Sequence, residues 1–420
     1  MILKEGCFSV NIKQRVLWLE DDQDLRKIFA EELDSAVYNV RLVPTIEQFN
    51  MALPDAWDLI ILDLQLGDED WAGLDALADL RRYNQVTPVI VCTGRGTKRE
   101  TRRAMQLGAD DVVFKEDILQ ELGPSVRKVL DINLRLRQIL EQFPSPLAIL
   151  GRRLAEARSH LERLRIAFDI FETSLKLMAV YSLAEMSLNT DWPEQLADHV
   201  KKKIFRKPSL GDWLRAVSLV YAEGGPIDEI CDHVRRCAKP DKLMSLLGEA
   251  VNERNKFTHG VVPSDTVCEE LFQEWWPVFF RLLVRCQVLH IYELVFIQNL
   301  ERTRKDIRAN ALLIKGSSPI LTKSVFECAE LPFSGQVSLR SRKSSRLLSL
   351  HPWIRLDVSS RSGTAVWIFD KIESSISTKD TQSLPQIDDR IEYTNIFNSE
   401  RAKVGTFSEF VPMSPKWAKD

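Results

Sequence analysis

The sequence predicts an α/β doubly wound parallel sheet in its N-terminal third, followed by an all-α region and a small β-rich C-terminal region. Three observations support this prediction. Short continuous apolar runs alternate with helix-spaced segments over residues 14–122, which is typical of buried parallel strands covered by helices on both faces. Apolar spacing is almost entirely helical over residues 147–304. From residue 305 onward, short strand-like runs alternate with clusters of Ser, Thr and Asp.

Four of the apolar runs in the N-terminal part end directly on polar residues. In chain order, these endings are Glu20-Asp21-Asp22, Asp63, Thr93 and Lys115. Because the carboxyl ends of parallel strands meet at one edge of an open sheet, we expect these side chains to lie together. Clustered carboxylates can hold a hard cation such as Mg²⁺, and a single carboxylate can accept a phosphoryl group covalently. A hydroxyl and an amine can both bond phosphoryl oxygens.

This pattern resembles the receiver domain of bacterial two-component response regulators, a flavodoxin-like fold, over roughly residues 14–130. The resemblance implies Mg²⁺ as cofactor, a histidine kinase or phosphotransfer protein as partner, and an aspartyl phosphate as the signalling state. The implied roles are phosphoacceptor for Asp63, metal ligands for Glu20, Asp21, Asp63 and the Gln65 carbonyl, and phosphate-binding or switch residues for Thr93 and Lys115.

Three departures from the family pattern affect how the signal would leave this domain. Glu116 stands where the family usually has a proline after the lysine, and Val112 occupies the aromatic switch position. The loop of residues 67–73 is about two residues longer than usual and lacks its proline. Phosphorylation chemistry is expected to survive these changes, whereas coupling between Thr93 and an aromatic ring is not. The alternative is a degenerate receiver in which Asp63 and Lys115 form only a buried ion pair. This alternative is disfavoured, because a buried cluster of acids without a cation destabilises the fold.

The predicted chain organisation has five parts. They are a leader at 1–13, the receiver domain at 14–122, a helical connector at 123–146, a helical effector domain at 147–304, and a β-rich region with a loose tail at 305–420. The last receiver helix is expected to open at Gly123-Pro124, because proline suits a first helical position. Its apolar spacing continues to Leu140, and prolines follow. A connector that transmits motion or dimerises and a plain spacer both remain open.

A second constellation lies in the helical region, where Arg254-Asn255 is followed by His259. This spacing is similar to the motif of HEPN domains, helical bundles in which the Arg and His act on RNA without a metal. A His can shuttle the proton of a 2′-hydroxyl, and an Arg can hold the scissile phosphate. Alternatively, Arg254 and His259 only bond helix ends and fix the turn. We favour this silent alternative, because a short motif is only a hypothesis before its geometry is known.

Composition narrows the class of protein further. The net charge of −3 argues against bulk coating of nucleic acid. The 7 cysteines are scattered and odd in number, as expected for reduced thiols in the cytosol. The first ten residues do not resemble a signal peptide, and no apolar stretch is long enough to span a bilayer. We therefore expect a cytoplasmic protein without a membrane partner.

The expected function is that of a response regulator in a two-component phosphorelay. Its receiver controls a helical output module that acts through protein interaction. The first alternative is a phosphorylation-controlled, metal-independent HEPN-like ribonuclease, which leaves RNA open as a partner. The second is a DNA-binding transcriptional regulator, disfavoured because no helix-turn-helix reader is evident in the sequence. A homodimer through the connector or the helical domain is also open.

Overall fold

The computed structural model describes most of the chain, with gaps. The described residues are 13–26, 33, 37–66, 71–94, 98–131, 141–188, 192–222, 229–238, 243–259, 263–302, 307–318, 320–328, 332, 334–342, 346–357, 365–373, 389–395, 401–406 and 409. Nearly all of the predicted leader, the middle of the predicted connector and nearly all of the predicted tail lie outside these residues.

The N-terminal part is a five-stranded parallel sheet in the order β2-β1-β3-β4-β5, with helices between the strands. Its elements are β1 Gln14–Leu19, β2 Tyr38–Val43, α1 Ile46–Ala52, β3 Leu59–Asp63, α2 Ala72–Tyr83, β4 Val89–Thr93, α3 Lys98–Gln106, β5 Asp111–Phe114 and α4 Ile118–Val129. All four strand pairs are parallel. The strand order reverses between β1 and β3, which makes their carboxyl ends the switch point of a doubly wound sheet.

Alternate residues of the central strands enter two separate hydrophobic clusters. Ile60 and Leu62 of β3 belong to one cluster, while Leu59 and Ile61 belong to the other. Side chains alternate across a strand, so a continuous apolar run fills both faces of the sheet. The predicted α/β doubly wound fold is confirmed.

The middle of the chain is helical and is organised around one long buried helix. The helices are α5 Ser145–Glu156, α6 His160–Met186, α7 Glu194–His199, α8 Leu210–Ala222, α9 Glu229–Ala238, α10 Leu243–His259 and α11 Asp265–Arg285. Helix α6 begins after Ser159, whose side chain accepts a hydrogen bond from the backbone N–H of Glu162. It packs against α5, α8, α9 and α11, and Phe171 of α6 stacks on Phe279 of α11 at 4.7 Å.

The remaining strands form two antiparallel sheets, in the orders β10-β9-β6-β7-β8 and β11-β12-β13-β14. The strands are β6 Tyr292–Arg302, β7 Ile307–Leu313, β8 Thr322–Cys328, β9 Val337–Ser341, β10 Leu347–Ser349, β11 Ile354–Asp357, β12 Ala365–Glu373, β13 Arg390–Asn395 and β14 Arg401–Thr406. One hydrophobic cluster joins helices and sheets, since it includes Trp213 of α8, Phe279 of α11 and Phe369 of β12. The predicted all-α and β-rich regions are therefore present and packed together.

Three local expectations were wrong. The helical spacing expected as far as residue 304 stops with the helix that ends at Arg285, and Tyr292–Arg302 is a strand that pairs with β7 and β9. A short apolar run of this kind fits either structure. The helix expected over residues 147–188 is interrupted between Glu156 and His160. The last receiver helix opens at Ile118 and contains Pro124, because its buried apolar face outweighs the cost of the proline.

Within the described part of the chain, every helix falls short of the combined length and hydropathy that a membrane-spanning segment requires. The six described cysteines are all free and buried.

The helical region is joined to the parallel sheet through a buried ion pair. Arg285, the last residue of α11, is fully buried. Its Nε lies 3.0 Å from Asp58 Oδ1, and its Nη2 lies 2.7 Å from Asp58 Oδ2 and 3.0 Å from the carbonyl oxygen of Lys13. Asp58 directly precedes β3 and also accepts a hydrogen bond from the Arg15 N–H at 2.8 Å. The contact therefore lies at the amino end of the strand whose carboxyl end is Asp63.

Neighbouring contacts extend this junction, which we call the docking edge and define as Asp55, Asp58, Arg236, Arg285 and Gln287. The Gln287 side chain donates hydrogen bonds to the carbonyl oxygens of Leu53 and Asp55, both at 3.1 Å. Arg236 Nη1 lies 2.9 Å from Asp55 Oδ1. The docking edge thus combines a buried bidentate ion pair with neutral and half-exposed hydrogen bonds.

We predict that Arg285→Met destabilises the protein by about 3–5 kcal/mol, because the substitution leaves the Asp58 carboxylate buried without its cation. The added change Asp58→Asn should recover part of this loss, since the double variant has no unpaired charge. Urea unfolding followed by tryptophan fluorescence measures both effects.

The matched control is Arg41→Met, which removes an ion pair with Asp55 whose arginine is 50% exposed. Its effect should stay within about 0.5 kcal/mol. An Arg285→Met protein as stable as this control would show that the buried pair does not hold the docking edge together.

Candidate functional site

The carboxyl edge of the parallel sheet brings the predicted acids and the predicted lysine together. Lys115 Nζ lies 2.7 Å from Asp63 Oδ2 and 2.7 Å from Glu20 Oε2. Carboxylate oxygens of Glu20, Asp21 and Asp63 all lie within 4.8 Å of one another. Residues that are up to 95 positions apart in the sequence therefore share one site.

Strand ends position these side chains. Strand β1 ends at Leu19, and the next residue, Glu20, is held by a hydrogen bond from its N–H to the carbonyl oxygen of Val43 at 3.1 Å. Asp63 is the last residue of β3, and Lys115 directly follows β5. Because β1 and β3 are neighbours at the switch point, the acids of both strands face the same crevice.

The third acid of the first run, Asp22, has a different task. Its Oδ1 accepts hydrogen bonds from the N–H groups of Asp24 at 2.8 Å and Leu25 at 3.0 Å. These backbone hydrogen bonds lower the pKa of Asp22. Asp22 therefore stabilises the start of the following helix; it is not one of the predicted metal ligands of this run, which are Glu20 and Asp21.

The electrostatics of the site reflect burial of several charges. Burial raises the pKa of Glu20 to about 7, although Lys115 acts to lower it. Burial also raises the pKa of Asp63, against the opposing effect of Lys115. For Lys115 itself, burial acts to lower the pKa, but hydrogen bonds and charge from Asp63 and Glu20 outweigh it and raise the pKa. One ammonium group faces more than one buried carboxyl group, so the site favours additional positive charge.

The donor set fits a magnesium ion. Mg²⁺ takes oxygen ligands and commonly uses one or two protein carboxylates together with phosphate and water oxygens. Glu20, Asp21 and Asp63 provide such carboxylates within reach of a single cation. Gln65 donates its N–H to Asp63 Oδ1 at 3.2 Å, which orients the carboxylate; the metal-binding role of its carbonyl oxygen stays a prediction.

The pairing of β4 with β5 fixes the positions of Thr93, the predicted switch residue, and Val112. Thr93 is the last residue of β4, is fully buried, and pairs with Phe114, the residue before Lys115. Val112 pairs with Val91 and is half-buried. Val112 has an aliphatic side chain and therefore no ring that could rotate toward Thr93. The coupling between a threonine and an aromatic ring that is usual in the family is therefore not expected here.

Gly73 is a site residue that was not predicted. A Cβ at this position would lie 1.9 Å from the carbonyl oxygen of Asp63 and 2.7 Å from Leu64 Cα. The Gly73 N–H also donates to the carbonyl oxygen of Leu64 at 3.2 Å. Only glycine allows this close approach, so Gly73 fixes the backbone that presents Asp63. A glycine in the first turn of the helix after the acid was the available sequence signal.

The two residues of the second constellation both belong to helix α10, Leu243–His259. Arg254 Nη2 lies 2.6 Å from Glu172 Oε2 of helix α6. The side chain of His259 lies outside the described residues. A cleft shared by Arg254 and His259 therefore stays a prediction, and the guanidinium is engaged with a carboxylate.

We predict that Mg²⁺ changes the fluorescence of buried Trp18, which lies two residues before Glu20, and that Glu20→Gln/Asp21→Asn abolishes the change. Removing two carboxylate ligands leaves too few oxygens to offset dehydration of the ion. Asp22→Asn is the matched control: it neutralises an adjacent acid that caps a helix, and it should retain the response. Equal loss of response in the control, or an unchanged titration in the double variant, would contradict the assignment.

Comparison with known proteins agrees with the geometry of this part of the chain. The family model of the response regulator receiver domain matches residues 16–127. Transcriptional regulatory protein CpxR of Klebsiella pneumoniae is 34% identical over 116 residues, which is 28% of this chain and 49% of that protein. Response regulator ArlR of Staphylococcus saprophyticus is 32% identical over 120 residues, 28% of this chain and 52% of that protein. The chain thus spans about half of the length of these relatives.

Solved structures give similar matches. The signal receiver domain of a putative Luxo repressor protein from Vibrio parahaemolyticus is 27% identical, with a TM-score of 0.28 and coverage of 31% of this chain and 98% of that one. Response regulator DrrB of Thermotoga maritima is 24% identical, with a TM-score of 0.26 and coverage of 28% and 53%. The strand order and the family match together lead to one conclusion: residues 16–127 are a response regulator receiver domain.

Proposed function

We propose that the protein is a response regulator of a two-component phosphorelay that accepts a phosphoryl group on Asp63 and relays this state to its helical region. The observation that carries the proposal is the position of Lys115 Nζ, 2.7 Å from both Asp63 and Glu20 at the carboxyl edge of the sheet. An ammonium group there can hold a phosphoryl oxygen beside the accepting carboxylate. A histidine kinase or a phosphotransfer protein is the proposed donor, and the cytoplasm is the proposed location, in keeping with the free cysteines.

The proposed chemistry is attack by an Asp63 carboxylate oxygen on the phosphorus of a phosphohistidine. A P–O bond forms while the P–N bond breaks, and the imidazole leaves with the bonding pair and takes up a proton. After the transfer, the Lys115 ammonium group donates a hydrogen bond to one phosphoryl oxygen, and the Thr93 hydroxyl group donates one to another. Mg²⁺ held by Glu20, Asp21, Asp63 and the Gln65 carbonyl would supply the positive charge that the phosphoryl oxygens require.

The relay that we propose runs through strand β3. Asp63 ends this strand, and Asp58 at its other end is bound to Arg285 of the helical region. Five strand residues span about 16 Å, and the strand is buried throughout. A shift of Asp63 toward a new phosphoryl group can therefore reach the docking edge through a packed element. The connector of residues 123–146 was the predicted route, and its middle lies outside the described residues.

Protein interaction is the proposed output. CpxR is named a transcriptional regulatory protein, which suggests DNA binding as an alternative output. The similarity to CpxR is confined to 116 residues, so it does not extend to the helical region or the two antiparallel sheets. DNA binding is therefore the weaker proposal.

We predict that a small phosphodonor with Mg²⁺ adds one phosphoryl group, and that Asp63→Asn abolishes the addition because the accepting oxygen is lost. Intact mass measures the addition. In the wild type, amide hydrogen exchange should also change at residues 53–58 and 285–287 when Asp63 is phosphorylated, since these two segments contain Asp55, Asp58, Arg285 and Gln287 of the docking edge.

The control is Asp22→Asn, which should still accept the group. Addition to the Asp63→Asn protein would show that another residue is the acceptor. Phosphorylation of Asp63 without any exchange change at the docking edge would leave the acceptor assignment intact and contradict the relay.

A metal-independent ribonuclease is the second candidate function. The observation that favours it is that Arg254 lines a cleft together with Arg153 and Lys176, where a phosphodiester would meet several cations. The contact of Arg254 with Glu172 opposes it, because the guanidinium must exchange a carboxylate for phosphate.

If this activity exists, single-stranded RNA should be cleaved in EDTA, and His259→Ala should reduce the rate through loss of the proton shuttle. Arg254→Lys should also reduce it, because a point charge does not replace the planar fork. Lys256→Arg, an exposed position on the same helix, should retain full activity. Absence of cleavage by the wild type in both phosphorylation states would remove this candidate.

A further inference from the structure

A cleft of about 220 Å³ lies between the helical region and the second antiparallel sheet. Side chains of α5, α6 and α10 form one wall, and residues of β12 and β13 contribute the other. The helical wall is charged: it contains Arg153, Asp169, Glu172, Lys176 and Arg254. The opposite wall is formed by Ile368 and Phe369, which are almost fully buried, together with Thr394.

The charged wall has more cations than anions. Three cationic side chains face two carboxyl groups, and Glu172 is shared by Lys176 at 2.9 Å and Arg254 at 2.6 Å. Burial acts to raise the pKa of Glu172, but Lys176 and Arg254 outweigh it and keep this carboxylate ionised. Burial, followed by the charge of Glu172, raises the pKa of Asp169 to about 6; because the Asp169 side chain is exposed, solvent screening reduces this effect. The wall therefore carries a net positive charge within a chain whose net charge is −3.

The position of these charges in helix α6 is unusual. From Leu164 to Met186 this helix is buried apart from a few residues. Several of the exceptions recur at helical spacing on the face that lines the cleft; they are Asp169, Glu172, Thr173 and Lys176. Exposed and half-buried charges of this kind add little stability compared with apolar packing, and an i,i+4 pair contributes only about 0.3–0.5 kcal/mol. A polar stripe that lines a cleft on an otherwise buried helix is better explained by a ligand than by the stability of the fold.

We propose that this cleft binds a small phosphomonoester, such as a sugar phosphate or a nucleoside monophosphate. Its phosphate lies between Arg254, Lys176 and Arg153 in place of the Glu172 carboxylate, and the rest of the molecule faces the sheet wall at Thr394. Phosphate is the anion that best matches an arginine fork supported by additional cations. The volume is below the range of about 300–1,000 Å³ for sites that enclose a drug-sized molecule, which restricts the buried part to a phosphate and a compact group.

This site differs from the receiver site in ligand and in position. It lies on the helical and sheet regions, so its occupation would tie the two together and stabilise the folded protein by mass action. The proposal does not depend on Asp63, and it requires binding rather than cleavage. RNA shares the phosphate chemistry, but a backbone phosphodiester carries one charge less than a terminal phosphomonoester.

The test is the shift in melting temperature of the full chain, followed by calorimetric titration, with ribose 5-phosphate, adenosine 5′-monophosphate and inorganic phosphate as probes. The phosphomonoesters should raise the melting temperature in a saturable manner, inorganic phosphate should do so more weakly, and adenosine should have no effect. Lys176→Met and Arg153→Met should each weaken binding about 10-fold, as loss of one charge-assisted hydrogen bond does. Glu172→Gln should tighten binding, because the carboxylate that competes with the ligand has been removed.

The matched control is Lys202→Met, which also removes the lysine of an i,i+4 ion pair, with Asp198, but outside the cleft. It should leave the affinity unchanged. An unchanged melting temperature with all three phosphate probes would overturn the proposal, as would equal loss in Lys202→Met and Lys176→Met. Binding only of an RNA oligomer without terminal phosphates would overturn it in favour of RNA recognition. The same titrations with Asp63→Asn separate this result from any failure of the phosphorelay, because that variant should bind the phosphomonoesters normally.

Discussion

Strand β3 has a buried carboxylate at each end, and the architecture depends on supplying both with cations. Asp58 at the amino end is neutralised by Arg285 of the last long helix, and Asp63 at the carboxyl end is approached by Lys115 from β5. Carboxylates in such positions are stable only when paired and hydrogen-bonded. The first pair joins the helical region to the receiver sheet, and the second lies in the site at which we propose phosphorylation. One buried strand therefore links the junction between regions to the chemistry.

The parts predicted well from the sequence were those governed by local pattern. Continuous apolar runs with polar ends predicted the parallel sheet and the meeting of Glu20, Asp63 and Lys115, because strand ends in an open sheet have only one common edge. Local pattern failed in two places: it did not predict the break between α5 and α6 or the strand at Tyr292–Arg302. Apolar spacing over short segments does not separate a buried helix from a strand, and tertiary packing decides between them.

Contacts between side chains that are far apart in the chain could not be predicted from the sequence. Asp58 and Arg285 are 227 residues apart, and each stands next to an apolar segment that gives no sign of the other. The capping role of Asp22, whose carboxylate accepts backbone hydrogen bonds from the next helical turn, was not part of any prediction. Arg254 was noticed for its spacing to His259, whereas the contact that defines its surroundings is with Glu172, 82 residues earlier. Such pairings depend on how elements pack, and no single segment encodes them.

The two ends of β3 also differ in a way that bears on whether the receiver is active or degenerate. At the docking edge, the fully buried Arg285 meets one carboxylate with bidentate geometry, and the charges balance. At the opposite end, one lysine is shared between Glu20 and Asp63 while Asp21 lies close by, and burial raises the pKa of Glu20 to about 7. A purely structural ion pair would resemble the first arrangement. The excess of acids at the second costs stability unless a cation joins them, so the composition of this cluster favours a metal-dependent phosphoryl acceptor over a structural remnant.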